Sequence, residues 1–153
     1  MFCDIQELPN SSIGIYCEKS LSAIERSICQ MVPMTNRATV LADIDQLYDE
    51  SIAKHLPGES EAIAPVTYNL ARHFVSLLPP DYVDPEVGYD SDGFIHLEWI
   101  KSRRIMTLIS ISPNYEIHFA SRKGEERNRG SMPFFQNDRT LSRSILELID
   151  IAS

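Results

Sequence analysis

Alternating apolar and polar positions across residues 85–121 form the clearest pattern in the chain. Apolar residues recur at every second position in three runs, and turn-forming residues separate these runs. The pattern predicts antiparallel strands joined by short loops. A shorter run at residues 86–89 pairs with residues 94–101 through Asp92-Gly93, which predicts a tight primed turn because glycine accepts positive φ without strain. Residues 85–121 are therefore predicted to form a β-meander.

The remaining turns decide which side chains share a face of this sheet. Ser102-Arg103 and Pro113-Asn114 both have turn chemistry, and two-residue loops at these positions place Leu97 opposite Leu108. One face then carries the side chains expected in the core: Ile95, Leu97, Trp99, Met106, Leu108, Tyr115, Ile117 and Phe119. The other face carries His96, Glu98, Thr107, Ile109, Glu116 and His118.

The second, more polar face raises the question of a metal site. In this register Ile109 lies between His96 and His118, and two strand spacings separate the histidine backbones by about 10 Å. A shared metal ion needs ligand distances of about 2 Å, so the spacing argues against one. We interpret this face as half-solvated and covered by a helix or a partner. A polar site built from His96, Glu98 and His118 is the alternative.

Helical periodicity dominates the rest of the chain. Residues 35–55 place apolar side chains on one stripe and predict an amphipathic helix. Pro65 suits the first turn of a second helix, which ends before Pro79. Residues 122–130 carry mixed charges and predict an exposed loop that resembles a flexible hairpin tip. Asn137 or Asp138 is expected to cap a last helix.

These elements predict a single α+β domain over residues 1–153, with an antiparallel meander of three to five strands packed against two to four helices. Its parts are an N-terminal extension (1–33), a helical part (35–78), the meander (85–121) and a C-terminal helix (137–153). At this length a chain buries about two thirds of its unfolded surface without covalent staples.

Cysteine content and hydropathy indicate the cellular compartment. The chain has three cysteines, Cys3, Cys17 and Cys29, and an odd number without close pairs implies neither a disulfide framework nor a zinc site. No apolar run approaches the roughly 18 residues that span a bilayer, and the N-terminus lacks a basic segment followed by an apolar one. We therefore expect a cytoplasmic protein with reduced thiols and no membrane contact.

The net charge is −8 and is unevenly distributed. Residues 1–98 hold 16 acidic and 5 basic side chains, whereas residues 99–153 hold 6 acidic and 9 basic ones. Overall acidity argues against direct nucleic-acid binding, which depends on neutralising phosphates. A polarised chain of this kind favours docking on another protein, with the acidic half meeting a basic surface. A homodimer is a second arrangement to consider.

Candidate partner-binding residues follow from this charge pattern and from the residue types that dominate binding energy at interfaces. They are Asp43, Asp45, Asp49, Glu50, Tyr82, Tyr89, Arg103, Arg104, Arg127 and Arg129.

The sequence contains no recognised catalytic or nucleotide-binding motif. Asp90-Ser91-Asp92-Gly93 does not fit a calcium loop, because Trp99 stands where the bidentate glutamate belongs. We assign no catalytic residue, cofactor or metal ligand. Two alternatives to a protein-binding role stay open. One is a small hydrolase or transferase using His96, Glu98 and His118. The other is an acidic mimic of nucleic acid using the carboxylates of residues 43–61.

Three motifs follow one another in the chain: Tyr48-Asp49-Glu50-Ser51-Ile52-Ala53, then Leu78-Pro79, then Pro85-Glu86-Val87 leading to Asp92-Gly93-Phe94-Ile95-His96-Leu97-Glu98-Trp99. Together they resemble a family of small bacterial proteins with a Trp-Asp-Gly-Tyr-Gly-Ala-like segment, a helix ending in Leu-Pro and a Pro-Asp-Gly-Gly-Ile-x-Leu-Glu-Trp hairpin. The resemblance covers residues 44–120. Tyr48 replaces the family's Trp, the glycines of the first motif are missing, and Phe94 replaces the hairpin's second Gly.

The resemblance implies no catalytic residue. Small proteins of this kind tend to be accessory partners or inhibitors carried by mobile elements. The resemblance therefore implies a non-enzymatic binding role of an antitoxin-like, regulatory or defence-inhibiting type.

Overall fold

The computed structural model describes residues 37–153. The extension expected for residues 1–33, with its three cysteines, lies outside this range, so the single-domain organisation stays a prediction. The elements are α1 (Arg37–Lys54), α2 (Pro65–Leu77), β1 (Glu86–Tyr89), β2 (Ile95–Ser102), β3 (Ile105–Ile111), β4 (Glu116–Lys123), β5 (Glu126–Pro133) and α3 (Arg143–Ala152). The strands form one antiparallel sheet in sequential order, which confirms the α+β meander.

The first two helices lie where the periodicity predicts them. α1 buries Val40 and Ile44, which are four residues apart and therefore share one face. α2 starts with Pro65 in its first turn. Arg37 joins the two helices, since its guanidinium donates to the carbonyl oxygens of Val75 (3.2 Å) and Pro79 (2.9 Å).

The last helix begins later than expected. Its N-cap is Ser142, whose hydroxyl accepts a hydrogen bond from the amide of Ile145. The prediction that Asn137 or Asp138 caps it is wrong. The Asp138 carboxylate is used in a local turn, where it accepts from the amide of Phe135 at 2.9 Å. A short polar side chain satisfies either kind of site, so the residue type alone did not distinguish them.

Two hairpin loops contain three residues instead of the two expected. In the β1–β2 loop, Gly93 has φ +76° and its amide donates to the Asp90 carbonyl. This is a turn closed by one left-handed residue, and not the primed turn predicted. In the β3–β4 loop, Tyr115 takes the left-handed position at φ +57°, and the Ser112 amide donates to the Glu116 carbonyl. Tyr115 is thus a loop residue, half exposed, and not part of the core.

The three-residue β3–β4 loop and a register shift between Ile100 and Ser102 in β2 move β3 by one residue relative to its neighbours. Ile109 lies opposite Leu97 and Phe119. A shift of one residue exchanges the two faces of a strand. The prediction for β3 is therefore wrong, because Thr107 and Ile109 lie in the core whereas Met106 and Leu108 lie on the other face.

The meander also extends beyond residue 121. β4 runs to Lys123, a tight turn follows at Gly124 (φ +65°), and β5 pairs with β4 along its whole length. The loop predicted for residues 122–130 is therefore wrong. β5 is an edge strand exposed at nearly every position, so it has no apolar alternation to reveal it. Gly130 lies under the Phe119 ring, where a Cβ would approach Cζ to 2.6 Å.

Within residues 37–153, the three helices pack on one face of the sheet. The buried core consists of helix and strand side chains together with Ile63, Leu78, Phe134 and Leu141. Two hydrogen bonds tie polar groups to the rest of the fold: Trp99 Nε1 donates to the Val83 carbonyl (2.8 Å), and Thr107 Oγ1 donates to the Leu148 carbonyl (2.6 Å). Among residues 37–153, no helix combines the length and apolar character needed to cross a membrane.

Candidate functional site on the open face of the sheet

The face of the sheet opposite the helices, here called the open face, carries partly or fully exposed side chains in three cross-strand rows. The first row is Ile100, Met106, Arg122 and Arg127. The second row is Glu98, Leu108, Ala120 and Arg129. The third row is His96, Ser110, His118 and Ser131. Within the described part of the chain, no helix packs over these rows.

Apolar side chains occupy the middle of the open face. Ile100 is 55% exposed and lies opposite Met106, which is 36% exposed. Leu108 and Ala120 lie opposite each other in the next row. We call these four residues the apolar floor. The floor lies in a shallow concavity of about 620 Å³ that the strands β2 to β5 line. Contiguous apolar side chains exposed on a protein surface often mark a site where another molecule binds.

Three arginines border the floor on the β4–β5 side. Arg122 lies directly opposite Arg127, and Arg129 follows on the same face of β5; we call these residues the arginine rim. Among residues 37–153 no carboxylate forms a salt bridge with any of the three. Like charges directly across a strand pair destabilise the sheet. An anionic group bound between them would relieve this repulsion.

The third row contains a chain of hydrogen-bonded polar groups. His96 Nε2 lies 3.0 Å from Asp90 Oδ2, and His96 Nδ1 lies 2.8 Å from Ser110 Oγ. Asp90 Oδ1 also accepts from the amides of Asp92 and Phe94, which close the β1–β2 loop. The expectation that Ile109 separates His96 from His118 is wrong, since Ser110 occupies that place.

The order Asp90–His96–Ser110 is that of a hydrolytic triad, in which histidine takes a proton from the serine hydroxyl. Acyl transfer also needs donors aimed at the developing oxyanion. β3 pairs on both sides, so its backbone N–H groups are committed to the sheet. The role that the contacts support directly is structural, because the chain links the loop to the centre of the sheet.

His118 and Glu98 complete the polar site considered from the sequence. The His118 ring stacks on Phe94 with a centroid distance of 6.1 Å, and its Nε2 lies 3.9 Å from Glu116 Oε2. Glu98 lies in the second row, opposite Leu108. Between residues 37 and 153 no three His, Cys, Asp or Glu side chains converge on a common metal position.

The predicted partner-binding residues separate into groups. Arg127 and Arg129 lie on the open face, and Arg103 and Arg104 lie exposed in the β2–β3 turn. The Gly124 amide donates to the Arg104 carbonyl at 2.8 Å, so this turn adjoins the β4–β5 turn. The arginines of the β2–β3 turn and of the open face thus lie toward one end of the sheet.

The two predicted tyrosines serve the fold. Tyr82 and Tyr89 are half-buried and pack against the core. The Tyr82 hydroxyl donates to the Leu146 carbonyl at 3.4 Å. Burial, followed by the nearby charge of Asp150, raises the pKa of the Tyr82 hydroxyl above its ordinary value. Neither ring is displayed as an exposed anchor.

The acidic residues of α1 do not form one charged stripe. Asp43 and Glu50 are seven residues apart and share one side of the helix, whereas Asp45 and Asp49 share another. Asp45 accepts from the Tyr68 hydroxyl (2.8 Å), which raises the Tyr68 pKa, and forms an ion pair with Arg72.

Glu50 is also paired within α1. It accepts from Gln46 at 2.9 Å and from Lys54 at 3.1 Å, and these hydrogen bonds lower its pKa. Two of the four carboxylates are therefore compensated within the chain. This arrangement gives no support to the nucleic-acid mimic.

Sequence reasoning missed the members of the open face that lie on β3 and β4. Met106 and Leu108 were assigned to the core, Arg122 to a loop, and Ser110 to no site. Alternation of Arg127 and Arg129, two residues apart, was a signal for a strand with both side chains on one face.

Comparisons with known proteins add no further information on function. No protein-family model, curated protein or solved structure matches the chain. The resemblance noted over residues 44–120 therefore stays a prediction. Function has to be inferred from the geometry and charge of this chain.

Proposed function

We propose that this protein is a non-enzymatic module that binds another protein through the open face of its sheet. The observation that supports this role is the apolar floor, which exposes Ile100, Met106 and Leu108 on a regular sheet. Two-layer α+β domains bury one sheet face under helices, and an apolar second face is a common docking surface. An accessory or inhibitory role of bacterial or mobile-element origin agrees with the resemblance described above.

Binding explains more of this face than catalysis does. An apolar centre with a charged border is the usual anatomy of a protein interface. The polar row beside it is already satisfied internally, since His96 contacts both Asp90 and Ser110. A reactive site would instead combine a deep cavity with groups left free to reach a substrate.

Site-specific photo-crosslinking tests the proposal. A photoreactive amino acid is placed at Leu108 on the open face and, as a matched control, at Ala42, which is exposed on α1. In cells that make the protein naturally, we expect position 108 to trap one protein at a defined mass and position 42 to trap none. Leu108→Asp, combined with a crosslinker at Ile100, should abolish the adduct.

Two outcomes would contradict the proposal. Equal, unselective crosslinking at positions 42 and 108 would mean that the open face is ordinary solvated surface. An adduct that persists at Ile100 after Leu108→Asp would mean that the floor does not determine binding. A crosslink to a second copy would identify self-association as the use of this face.

A small hydrolase or transferase is the second candidate, and the Asp90–His96–Ser110 chain is the observation that favours it. Ser110 Oγ would attack an acyl carbon while His96 Nδ1 accepts its proton. The bond between the acyl carbon and the leaving group would then break as the leaving group takes that proton from His96, and water or a second alcohol would release the acyl group from Ser110. A fluorophosphonate probe tests this directly. Stoichiometric labelling that Ser110→Ala abolishes would support an acyl-transfer enzyme, and absence of labelling in the folded wild-type protein would remove this candidate.

A further inference from the structure

The open face is chemically asymmetric across its strands. Glu98 on β2 lies at one border of the apolar floor, and the arginine rim on β4 and β5 lies at the other. A ligand covering the floor therefore meets positive charge on one side and negative charge on the opposite side. This polarity constrains both the chemistry and the orientation of whatever binds.

We infer that the partner contributes an acidic amphipathic helix, whose apolar stripe covers the floor and whose carboxylates pair with the arginine rim. The inference rests on the proposed function and specifies its partner as acidic, in place of the basic surface expected from the charge distribution of the chain. The guanidinium fork matches a carboxylate in a bidentate geometry. One rim residue has a hydrogen bond within the chain, since Arg122 Nε donates to the Gly124 carbonyl at 3.0 Å. No carboxylate of residues 37–153 forms an ion pair with any of the three arginines.

A helix fits the shape of this surface. Helices are the elements that normally cover a sheet face, and an amphipathic helix presents an apolar stripe with charged residues along its flank. Because Glu98 repels carboxylates, the acidic flank of the partner lies toward β4 and β5. The partner's opposite flank should be neutral or basic.

Nucleic acid and anionic membrane fit the open face less well. Both are polyanions, and a chain with a net charge of −8 repels them at long range. The apolar floor, four side chains in a shallow concavity, adds nothing to contacts with phosphate groups. A short acidic segment is attracted locally by the rim and gains apolar contact as well.

Binding of three synthetic helical peptides of equal length to the full-length protein tests the inference, with fluorescence anisotropy as the measurement. The first peptide has a leucine stripe and a glutamate flank. The second keeps the stripe and carries a lysine flank. The third keeps the glutamates and replaces the leucines by serine. We expect the first to bind about tenfold or more tightly than the second, and the third not to bind.

The arginine rim is tested by the double variant Arg127→Glu/Arg129→Glu. We expect it to weaken the first peptide by about tenfold or more and to improve the second. The matched control is Arg139→Glu/Arg143→Glu, which changes the net charge equally but lies outside the sheet; it should leave both affinities nearly unchanged. Added salt should weaken the first peptide, because exposed charges are screened.

The outcomes separate this inference from the proposed function. If Leu108→Asp abolishes peptide binding but the rim variant does not alter it, the face binds proteins and the acidic-helix assignment is overturned. Preference for the lysine peptide overturns it as well. If neither Leu108→Asp nor the rim variant affects a peptide that binds, the open face is not the binding surface and both proposals fail.

Three further measurements identify other occupants, each of which would overturn the assignment. Rim-dependent binding to a short DNA duplex would assign the rim to nucleic acid, and rim-dependent binding to phosphatidylserine vesicles would assign it to membrane. A concentration-dependent dimer in sedimentation, lost in Leu108→Asp, would assign the face to a second copy. Circular dichroism confirms that each variant is folded, and the salt dependence of the wild-type protein supplies a test that needs no variant.

Discussion

Gly93 shows how one residue positions the β1–β2 hairpin against the helical part. Its φ of +76° is a conformation that side chains with a Cβ rarely adopt, and a Cβ there would lie 2.8 Å from the Ala62 carbonyl oxygen. The segment after α1 contacts the same loop, since the Glu61 amide donates to the Ser91 carbonyl at 2.8 Å. A side chain at position 93 would therefore meet both an unfavourable backbone conformation and the Ala62 backbone.

Gly93→Ala should lower the free energy of unfolding by about 1–3 kcal/mol, because the backbone is strained and the Ala62 contact must open. Urea unfolding measures the effect. Gly88→Ala is the matched control, since Gly88 has an ordinary φ and open space around its missing Cβ. Equal effects of the two substitutions would show that the hairpin does not depend on the left-handed position.

Tyr82 makes stability depend on pH at the alkaline end. The pKa of its hydroxyl lies above the ordinary value of 10.0, chiefly because of burial. A pKa that is raised on folding stabilises the protein below the unfolded pKa, and this contribution is lost as pH rises through the folded pKa. The window therefore begins near pH 10 and extends upward.

Tyr82→Phe should flatten the loss of stability above about pH 10, which urea midpoints measured across the alkaline range would show. Tyr68, whose pKa is raised by its hydrogen bond to Asp45, remains in this variant, so part of the loss should persist. Tyr115→Phe is the control, because Tyr115 is half exposed in a loop. An unchanged slope in Tyr82→Phe would contradict the assigned cause.

At the scale of elements, the orientation of β3 determines both the core and the open face. Apolar residues occupy nearly every position of this strand, Ile105–Ile111, so alternation alone did not distinguish its two faces. The register shift between Ile100 and Ser102 in β2 and the extra residue in the β3–β4 loop decided the register. The open face acquired Met106 and Leu108 as a result.

Truncation of neighbouring residues on β3 tests this orientation. Ile109→Ala should cost about 2–5 kcal/mol, because Ile109 is fully buried and its loss leaves a cavity. Leu108→Ala should cost less than about 1 kcal/mol, because its side chain is partly exposed. Thermal and urea unfolding measure both. The opposite order would restore the register expected from two-residue loops.

At the scale of the whole molecule, burial is concentrated in the layer between the helices and strands β2 to β4. The largest fully buried side chains, among them Trp99 and Phe74, lie there. β5 is different, since all of its residues except Met132 are exposed. Exposed charged residues on an edge strand protect it from pairing with other chains.

Amide hydrogen exchange should reflect this distribution. We expect the amides of β3 to be the most strongly protected, because the strand is paired on both sides and covered by α3. The amides of β5 that point away from β4 should exchange fastest among the strands. Mass-resolved exchange of overlapping peptides measures both. Comparable protection in β3 and β5 would indicate that the β5 edge is covered. Adding the peptide with the leucine stripe and glutamate flank would then show whether protection of the strands that form the open face increases.

Much of this fold could be predicted because helical stripes and turn residues are local signals. The two helices at Arg37–Lys54 and Pro65–Leu77, and the Asp92-Gly93 hairpin, depend on residues close together in sequence. The candidate site was harder to predict. Arg127 and Arg129 were identified, but Met106, Leu108 and Arg122 were not, since their exposure depends on strand pairing.

The sequence by itself determined the class of fold and the order of every described element except β5, because hydrophobic periodicity and turn chemistry act within a few residues. Only the tertiary structure decided which face of β3 is buried, since a difference of one residue in a loop reverses a strand. It also decided which charged side chains form ion pairs within residues 37–153. Asp45 and Arg72 meet across 27 positions of sequence, whereas the β4–β5 turn brings the arginine rim together, and no carboxylate of residues 37–153 forms a salt bridge with it.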